Sequence, residues 1–360
     1  YPFIIDLSIV KESDRKGGRY PIPQYTIQDS GVFNGKEHYE IEIECVNSKI
    51  GTGTSYNTIE LLNKSLKQLV KIILSGLQET NYPVSYKEQN DIQQSYMKLV
   101  WGNEYKENMR VVAKNYVGPS SYTLQTQNIV DLGVSNSLAP NIRKDYTVTD
   151  KADGDRKLLF ISNVGKIYFI DTNMNIQFTG SVTRHKSSCN TIIDGEHVLN
   201  DKKGHFINIF LGFDIYYLNK ENTKGYPFMH IPDTELNYVN KDMERNKYRG
   251  NLLSDTVTNL ESQCIINSYK TPINIKMKTF YSNIGDGNIF KECKKILDGV
   301  KSGVLFNYET DGLIFTPCDK SVGSSNVGEI TPSRKFRWDY SLKWKPPKFN
   351  TIDFLIKKKK

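Results

Sequence analysis

Residues 151 to 156 have the sequence Lys-Ala-Asp-Gly-Asp-Arg, which places a lysine and an arginine at the two ends of an Asp-Gly turn. A β-favouring run, 146–149, precedes this segment and an apolar run, 158–161, follows it, so the pattern predicts two strands joined by a tight turn. A lysine in such a place acts as a nucleophile when burial and neighbouring positive charge favour its neutral amine. On this segment alone, a hairpin with an exposed lysine is an equal alternative.

The length of 360 residues is sufficient for two domains, and a net charge of +8 permits a polyanionic partner without requiring one. Five scattered cysteines without a CxxC pair indicate neither a zinc site nor a disulfide framework, and they favour a reducing compartment. The sequence shows no transmembrane run and no signal peptide, so we expect a cytoplasmic protein without a membrane partner. Because an apparent strand begins at Tyr1, we expect a piece of a longer protein.

Two predicted strands near the N-terminus, residues 1–10 and 39–46, carry polar side chains at a spacing of two, which puts each set on one strand face. These polar positions are Asp6, Ser8, Glu40, Glu42 and Glu44. Neighbouring glutamates repel one another unless water or cations lie between them. The pattern is therefore that of an edge strand with a solvated face, or of carboxylates that collect Mg²⁺ or Mn²⁺.

Helical spacing of apolar residues predicts two amphipathic helices, from about Ile59 to Leu77 and from about Lys87 to Trp101. The first begins after a capping residue at Asn57 or Thr58, with Glu60 three positions after Asn57. A further helix is predicted from about Ile289 to Leu297. We expect these helices to be structural.

Three later segments contain further candidate residues. An apolar strand ends in Asp194-Gly195-Glu196, and a second apolar run reaches Phe213-Asp214, although Phe213 could be a plain core residue and Phe210 could be mistaken for it. Near the C-terminus, residues 311–317 read DGLIFTP and residues 342–346 read LKWKP. Strand alternation allows Lys343 and Lys345 to reach one phosphate, but a bare KxK is commoner as a surface pair.

In order along the chain, these segments resemble motifs I, III, IIIa, IV and V of the covalent nucleotidyltransferases, which comprise mRNA capping guanylyltransferases and ATP- or NAD-dependent ligases. DGLIFTP and LKWKPP are more similar to the capping guanylyltransferases. The glutamate strand resembles the ExExE strands of triphosphate-tunnel RNA triphosphatases, which are often fused to guanylyltransferases. The overall resemblance is to the large multi-domain capping enzymes of nucleocytoplasmic DNA viruses, of the mimivirus type, or to linear-plasmid relatives.

This resemblance implies an α+β fold with three parts. Residues 1–110 would be the C-terminal portion of a triphosphate-tunnel β barrel with helices, without its first glutamate strand and therefore without triphosphatase activity of its own. Residues 111–345 would be an ATP-grasp-like nucleotidyltransferase domain of two antiparallel sheets plus helices. Residues 346–360 would be the truncated start of an OB-fold lid, with a strand at 350–355.

The implied reaction is transfer of GMP from GTP, through a covalent lysyl-GMP, to the diphosphate end of RNA. The implied roles are Lys151 as nucleophile, Lys343 and Lys345 on the α-phosphate, Arg156 on the ribose, Phe213 stacked on guanine, and Asp311 with Glu196 on a catalytic Mg²⁺ or Mn²⁺. The tunnel residues would be Asp6 and Ser8 with Glu40, Glu42 and Glu44, the three glutamates as metal ligands.

Two alternatives stay open at this stage. One is the adenylation domain of an RNA or DNA ligase, which would prefer ATP. The other is a non-catalytic scaffold that binds nucleotide or RNA. No RxDK-type motif VI follows Lys345, which puts the first chemical step in doubt. A downstream OB-fold and a methyltransferase domain would be further partners in the same polypeptide, and a viral protein of this kind would act in a viral factory or virion.

Overall fold

The computed structural model describes residues 1–13, 15–16, 20–132, 139–230, 247–267, 272–282, 288–349 and 354. The chain divides into two compact units, Tyr1–Glu79 and Thr80–Lys360. The domain boundaries expected after residues 110 and 345 stay predictions. The predicted lid strand at 350–355 lies outside the described residues, apart from Phe354.

The helices and strands lie as follows. The first unit contains β1 (Phe3–Lys11), β2 (Arg15–Lys16), β3 (Tyr20–Pro21), β4 (Glu37–Cys45) and α1 (Ile59–Leu77). The strands of the second unit are β5 (Ser120–Thr123), β6 (Tyr146–Ala152), β7 (Asp155–Ile161), β8 (Lys166–Asp171), β9 (Ile176–Val182), β10 (Thr191–Asn200), β11 (Phe206–Leu218), β12 (Glu221–Asn222), β13 (Gln263–Cys264), β14 (Asn274–Met277), β15 (Tyr281–Ser282), β16 (Thr310–Pro317) and β17 (Arg337–Trp344). Its helices are α2 (Tyr86–Trp101), α3 (Arg249–Thr258) and α4 (Ile289–Ser302).

The described residues of the first unit form two separate two-stranded sheets, β1–β4 and β2–β3, and no closed barrel. In the antiparallel β1–β4 ribbon, Asp6 lies opposite Glu42 and Ser8 opposite Glu40. Directly opposed residues of an antiparallel pair project from the same face, so the two polar rows share one face of the ribbon. Helix α1 begins at Ile59 as predicted, and the Thr58 side chain caps it by accepting from the Leu61 amide.

The second unit is built on two sheets, one of eight described strands and one of five. The larger has the order β12-β11-β10-β7-β8-β9-β13, with β14 parallel to β11. The smaller has the order β15-β6-β16-β17-β5, with β5 parallel to β17 at its edge. The predicted α+β class is confirmed.

Each described helix of the second unit covers an apolar part of a sheet. Tyr96 and Met97 of α2 are fully buried and pack with Phe160 of β7. Helix α3 packs through Leu253 on the larger sheet, and α4 packs through Ile296 on the smaller one. The helices predicted at 87–101 and 289–297 therefore exist, and burial of one apolar face holds each in place.

The Asp-Gly turn after Lys151 connects the two sheets. Strand β6 pairs with β16 in the smaller sheet, whereas β7 pairs with β8 and β10 in the larger one. The two strands predicted from the sequence are present, but they do not form a hairpin with each other. The turn therefore puts Lys151 and Arg156 on facing sheets, at the entrance to the space between them. No described helix is long and apolar enough to cross a membrane.

Candidate active site

A cavity of about 290 Å³ lies between the two sheets of the second unit. Five of the seven predicted active-site side chains of this unit line it: Lys151, Arg156, Glu196, Phe213 and Lys343. The other two are Asp311 and Lys345. Asp311 forms ion pairs with both Lys151 and Lys345, which connects them to this group. Residues separated by almost 200 positions thus converge on one space.

Asp311 holds two of the lysines at the cavity. Its Oδ1 lies 2.7 Å from Nζ of Lys151, and its Oδ2 lies 2.6 Å from Nζ of Lys345. Burial by itself would raise the pKa of Asp311, but the hydrogen bonds from the two ammonium groups outweigh it and lower that pKa below its ordinary value. Asp311 is therefore ionised at neutral pH, and its negative charge orients both lysines.

A β-bulge directs Asp311 toward Lys151. Thr310 pairs with Ala152 and Gly312 pairs with Lys151, so Asp311 is the extra residue on β16. Such a residue escapes the regular alternation of the strand, and its side chain can be re-aimed. The bulge requires the following glycine, because a Cβ on Gly312 would overlap the carbonyl oxygen of Trp344 on the neighbouring strand. The Asp-Gly pair of this motif is thus explained by local packing.

Lys343 carries its charge in a partly desolvated position at the wall of the cavity. Burial lowers its pKa, and the positive charges of Lys151, Lys345 and Arg337 lower it further. Asp311 alone offsets only part of the positive charge of these lysines. The group is therefore suited to a polyphosphate, whose negative charge would relieve their mutual repulsion.

Arg156 is fixed by a buried carboxylate. Its Nε and Nη2 donate to the two oxygens of Asp194 at 3.0 and 2.5 Å, and its Nη1 donates to the carbonyl oxygen of Pro119 at 2.8 Å. Asp194 has no exposed surface and also accepts from the hydroxyl of Tyr216. Three of the five guanidinium N–H groups are used in this way, which leaves two for a ligand in the cavity.

Glu196 is the register partner of Arg156 on the adjacent strand, β10. Burial raises its pKa to about 7, although Lys278, Lys151 and Arg156 act in the opposite direction. A carboxylate in this state binds either a proton or a cation near neutral pH. Its side chain can therefore accept from a ribose hydroxyl or contribute to a cation site.

Phe213 is one of four aromatic residues that line the cavity, with Tyr216, Phe280 and Trp338, whereas Phe210 belongs to the core. Phe210 is fully buried against Phe169, whereas Phe213 lines the cavity with the guanidinium carbon of Arg156 5.6 Å from its ring centre. Next to Phe213, the buried Asp214 forms a two-point ion pair with Arg249 at 2.8 and 3.2 Å. This pair holds the backbone next to Phe213 in place.

Lys278 also lines the cavity, although its sequence context did not predict a place in the site. It is 6% exposed, and its ammonium group donates to the backbone and carboxylate oxygens of Asp150 at 2.6 and 3.0 Å. Its amide also donates to the carbonyl of Gly212, which places it directly beside Phe213. One of its three N–H groups remains for a ligand. A lysine that follows an alternating strand such as 273–277 gives no local signal of a site.

Four further residues have ion-pair roles that the sequence did not predict: Asp150, Asp194, Asp214 and Arg249. The three aspartates share one signal, which is an acidic residue inside or directly after an apolar run of strand residues. A buried carboxylate requires a cationic partner. That rule predicts that a partner exists, but it cannot identify Lys278, Arg156 or Arg249 as the partner.

The donor set at the cavity is compatible with a hard divalent cation. Asp311 and Glu196 offer carboxylate oxygens, and Mg²⁺ is commonly bound by one or two carboxylates together with substrate phosphates. Among the described residues, no group of three or more His, Cys, Asp or Glu side chains is arranged to hold a metal by itself. The residues therefore fit a divalent metal ion that is bound jointly by these carboxylates and the phosphates of a nucleotide.

The five predicted tunnel residues lie in the first unit. They are Asp6 and Ser8 on β1 and Glu40, Glu42 and Glu44 on β4, all exposed on one ribbon face. Their role as metal ligands stays a prediction.

Comparison with known proteins assigns most of this chain to one family. The family profile described as "mRNA capping enzyme, catalytic domain" matches residues 79–347, about three quarters of the chain. The match begins where the second compact unit begins, and it includes every residue of the cavity.

Two curated relatives are similar to this chain. A "Probable mRNA-capping enzyme" of Acanthamoeba polyphaga mimivirus is 26% identical over 90% of this chain and 26% of its own length. An "mRNA-capping enzyme" of Mus musculus is 27% identical over 60% of this chain and 31% of its own length. The chain thus spans only about a quarter to a third of these relatives. Among solved structures, a mycobacterial DNA ligase D complexed with ATP and MES aligns at 13% identity over 64% of this chain and 60% of that chain, with a TM-score of 0.35.

Proposed function

The chain belongs to the family of mRNA capping enzyme catalytic domains, and from this premise we propose that it is a guanylyltransferase. It transfers GMP from GTP to Lys151 and from Lys151 to the diphosphate end of RNA. The observation that carries the proposal is the position of Lys151 beside Asp311 and Lys345, in a cavity that it shares with Phe213 and Lys343.

Phe213 and Lys278 support GTP as the nucleotide. A purine stacked on Phe213 would place its edge near the remaining N–H of Lys278. A lysine ammonium only donates. Both purines offer an acceptor at N7, but guanine adds a second acceptor at O6 where adenine presents a donor at N6. The cavity therefore favours guanine, which disfavours the ATP-dependent ligase alternative.

In the first step, Nζ of Lys151 attacks the α-phosphorus of GTP, a P–N bond forms, and the P–O bond to pyrophosphate breaks. The attack needs a neutral amine, so Lys151 first loses one proton to solvent and its ion pair with Asp311 opens. The nitrogen loses a second proton to solvent as the P–N bond forms. Lys343 lies on the cavity wall, where it can stabilise the negative charge on the α-phosphate oxygens. The two unused N–H groups of Arg156 bind the ribose.

In the second step, a terminal phosphate oxygen of RNA attacks the same phosphorus. A P–O bond forms, the P–N bond breaks, and the Lys151 nitrogen takes up two protons from solvent and regains its ion pair with Asp311. The same cations stabilise both transition states, because the charge builds on the same phosphate oxygens. Asp311 and Glu196 would hold the Mg²⁺ or Mn²⁺, which supplies further charge neutralisation at the phosphates when bound.

Label transfer tests this proposal. The protein is incubated with α-labelled GTP, or with α-labelled ATP, and Mg²⁺ or Mn²⁺, and then separated on a denaturing gel. We expect a GTP-dependent covalent band that is absent in Lys151→Ala and Lys151→Arg. Lys166→Ala is a matched control, because Lys166 pairs with Glu88 and does not line the cavity. An ATP-specific band would instead establish a ligase. GTP binding without any band, even after addition of a separately produced OB-fold domain, would indicate a scaffold.

We further propose that the first unit derives from a triphosphate-tunnel RNA triphosphatase. The shared face of Asp6, Ser8, Glu40 and Glu42 supports this assignment, because such a carboxylate row would attract Mn²⁺ or Mg²⁺. Phosphate release from triphosphate-ended RNA, compared between the unsubstituted chain and Glu42→Gln, measures any activity that this unit retains. Because we expect no triphosphatase activity from this unit alone, Mn²⁺ binding is the deciding measurement, and equal Mn²⁺ binding by the unsubstituted chain and Glu42→Gln would argue against the assignment.

The setting of the protein is also a proposal. The similarity to a mimivirus protein over 90% of the chain supports a viral-type capping enzyme that acts in the cytoplasm, in a viral factory or in the virion. An OB-fold lid and a methyltransferase domain would act with it. If the lid is required, addition of a separately produced OB-fold domain would raise the yield of the covalent band.

A further inference from the structure

An exposed aromatic residue and an arginine form a pair at the edge of the smaller sheet. Tyr122 lies on β5, the edge strand, and it is 40% exposed. The guanidinium carbon of the exposed Arg337, on β17, lies 5.6 Å from the centre of its ring. An aromatic ring partly covered by a guanidinium group is a flat, cationic surface. Neither residue belongs to the motifs that predicted the cavity.

This pair and the cavity lie on the two sides of the edge strand β5. Thr123 pairs with Lys343, which lines the cavity, whereas Tyr122 pairs with Leu342, which packs in the core on the other face of the sheet. Because β5 is the edge strand of the described sheet, a chain that leaves the cavity beside Lys343 reaches Tyr122 by crossing this edge.

The surroundings of the pair are strongly basic. Residues 334–345 contain five basic residues, Arg334, Lys335, Arg337, Lys343 and Lys345, against one acidic residue, Asp339. The amide of Lys335 also donates to the carbonyl of Lys114, which brings another exposed lysine to the same side. Arg337 is near enough to Lys343 to lower its pKa, after the larger effects of burial, Lys151 and Lys345. The strip of positive charge thus runs from the cavity along the start of β17.

We propose that Tyr122 and Arg337 form the binding surface for the first nucleotides of the acceptor RNA. The proposal rests on the proposed guanylyltransferase function and identifies where its second substrate lies. Single-stranded nucleic acids bind to surfaces that combine aromatic rings with basic side chains, since bases stack on the rings and the cations neutralise phosphates. With its terminal phosphate next to Lys343, the RNA stacks a base on Tyr122, and Arg337 contacts the backbone phosphate.

This arrangement makes the surface selective for polynucleotides. A nucleoside diphosphate or pyrophosphate would reach Lys151 through the cavity alone, whereas RNA also gains the contact with Tyr122. Aromatic stacking of one base changes affinity about fivefold or more. The contribution of Arg337 is electrostatic and decreases as salt concentration increases.

RNA binding is the first test, and it does not depend on covalent chemistry. Diphosphate-ended single-stranded RNA, labelled at its 3′ end, is titrated with the unloaded chain, and its fluorescence anisotropy is recorded at two salt concentrations. We expect Tyr122→Ala to weaken binding about fivefold or more, Tyr122→Phe to retain it, and Arg337→Gln to reduce the salt dependence. Tyr86→Ala is the matched control, because Tyr86 is an exposed tyrosine on α2 outside this surface.

The second test compares two acceptors of the same lysyl-GMP. Protein loaded with labelled GMP is chased either with the RNA or with pyrophosphate, and the ratio of the two rates is measured. We expect this ratio to fall about fivefold or more in Tyr122→Ala and to stay constant in Tyr86→Ala. Equal RNA binding and an equal ratio in Tyr122→Ala would overturn the proposal, even if label transfer works. If no lysyl-GMP forms but RNA binding still depends on Tyr122, the guanylyltransferase function fails and the RNA surface stands.

Discussion

Replacement of Arg249 by methionine should destabilise the second unit by about 3–5 kcal/mol, because it leaves a buried carboxylate without its partner. Arg249 has no exposed surface, and Asp214, its two-point partner, is also buried. Arg249 donates in addition to the carbonyls of Tyr226 and Lys320. The side chain thus joins α3 and a loop to the strand that bears Phe213, and its loss should weaken GTP binding as well.

The pH dependence of this loss has a definite sign. Burial raises the pKa of Asp214 even in the presence of Arg249, so loss of the guanidinium would raise that pKa further. A carboxyl group whose pKa is raised on folding favours the folded state at low pH, and this contribution is lost as pH rises through the folded pKa. The deficit of Arg249→Met should therefore be smaller at acid pH than at pH about 8.

Urea denaturation followed by tryptophan fluorescence measures the effect, since Trp101, Trp338 and Trp344 all lie in the second unit and report on its unfolding. The matched variant is Arg249→Met combined with Asp214→Leu, which removes both charges. Replacement of both partners by apolar groups is often nearly neutral, so we expect the double variant to recover most of the loss. A loss below about 1 kcal/mol in the single variant, or no recovery in the double one, would refute the reasoning.

Three further predictions concern residues of the second unit. Lys278→Met should reduce the preference for GTP over ATP in label transfer about tenfold, because it removes the donor for guanine O6; an unchanged preference would remove Lys278 from base recognition. Gly312→Ala should destabilise the second unit by about 1–3 kcal/mol and weaken label transfer, since its Cβ would press on the Trp344 carbonyl, and a wild-type denaturation midpoint would contradict this packing. Burial lowers the pKa of His197 to about 4, so its contribution to stability is complete above pH about 6.5 and is lost as pH falls toward 4. His197→Gln can keep the hydrogen bond to Asn208 and should remove about 3 kcal/mol of that acid sensitivity, whereas an identical pH profile would exclude His197 as its source.

The elements with strong local signals were predicted correctly. The polar rows of β1 and β4, the helices α1, α2 and α4, and the strands on both sides of the Asp-Gly turn follow from periodicity in the sequence. Lys151, Glu196 and Phe213 all line the cavity, and their roles there stay predictions. These features can be predicted from the sequence because each depends on residues a few positions apart. Their spacing decides which side chains share a face of a helix or strand.

Other features required the tertiary structure. The turn after Lys151 was compatible with a hairpin, and only strand pairing shows that it crosses between sheets. The pairing partner of β16 likewise creates the bulge that aims Asp311. Bulges and crossovers depend on the neighbouring strand, and the sequence of one strand does not contain that information.

The sequence by itself determined which residues are candidates for the chemistry, and the tertiary structure decided what holds them in place. Asp150 is 128 positions from Lys278, and Asp214 is 35 positions from Arg249, so no local pattern connects the members of either pair. Tyr122 and Arg337 meet only because β5 lies parallel to β17 at the edge of the sheet. A buried charge needs a partner, but the fold chooses which one, since the energy of an ion pair depends on distance in space and not on separation along the chain.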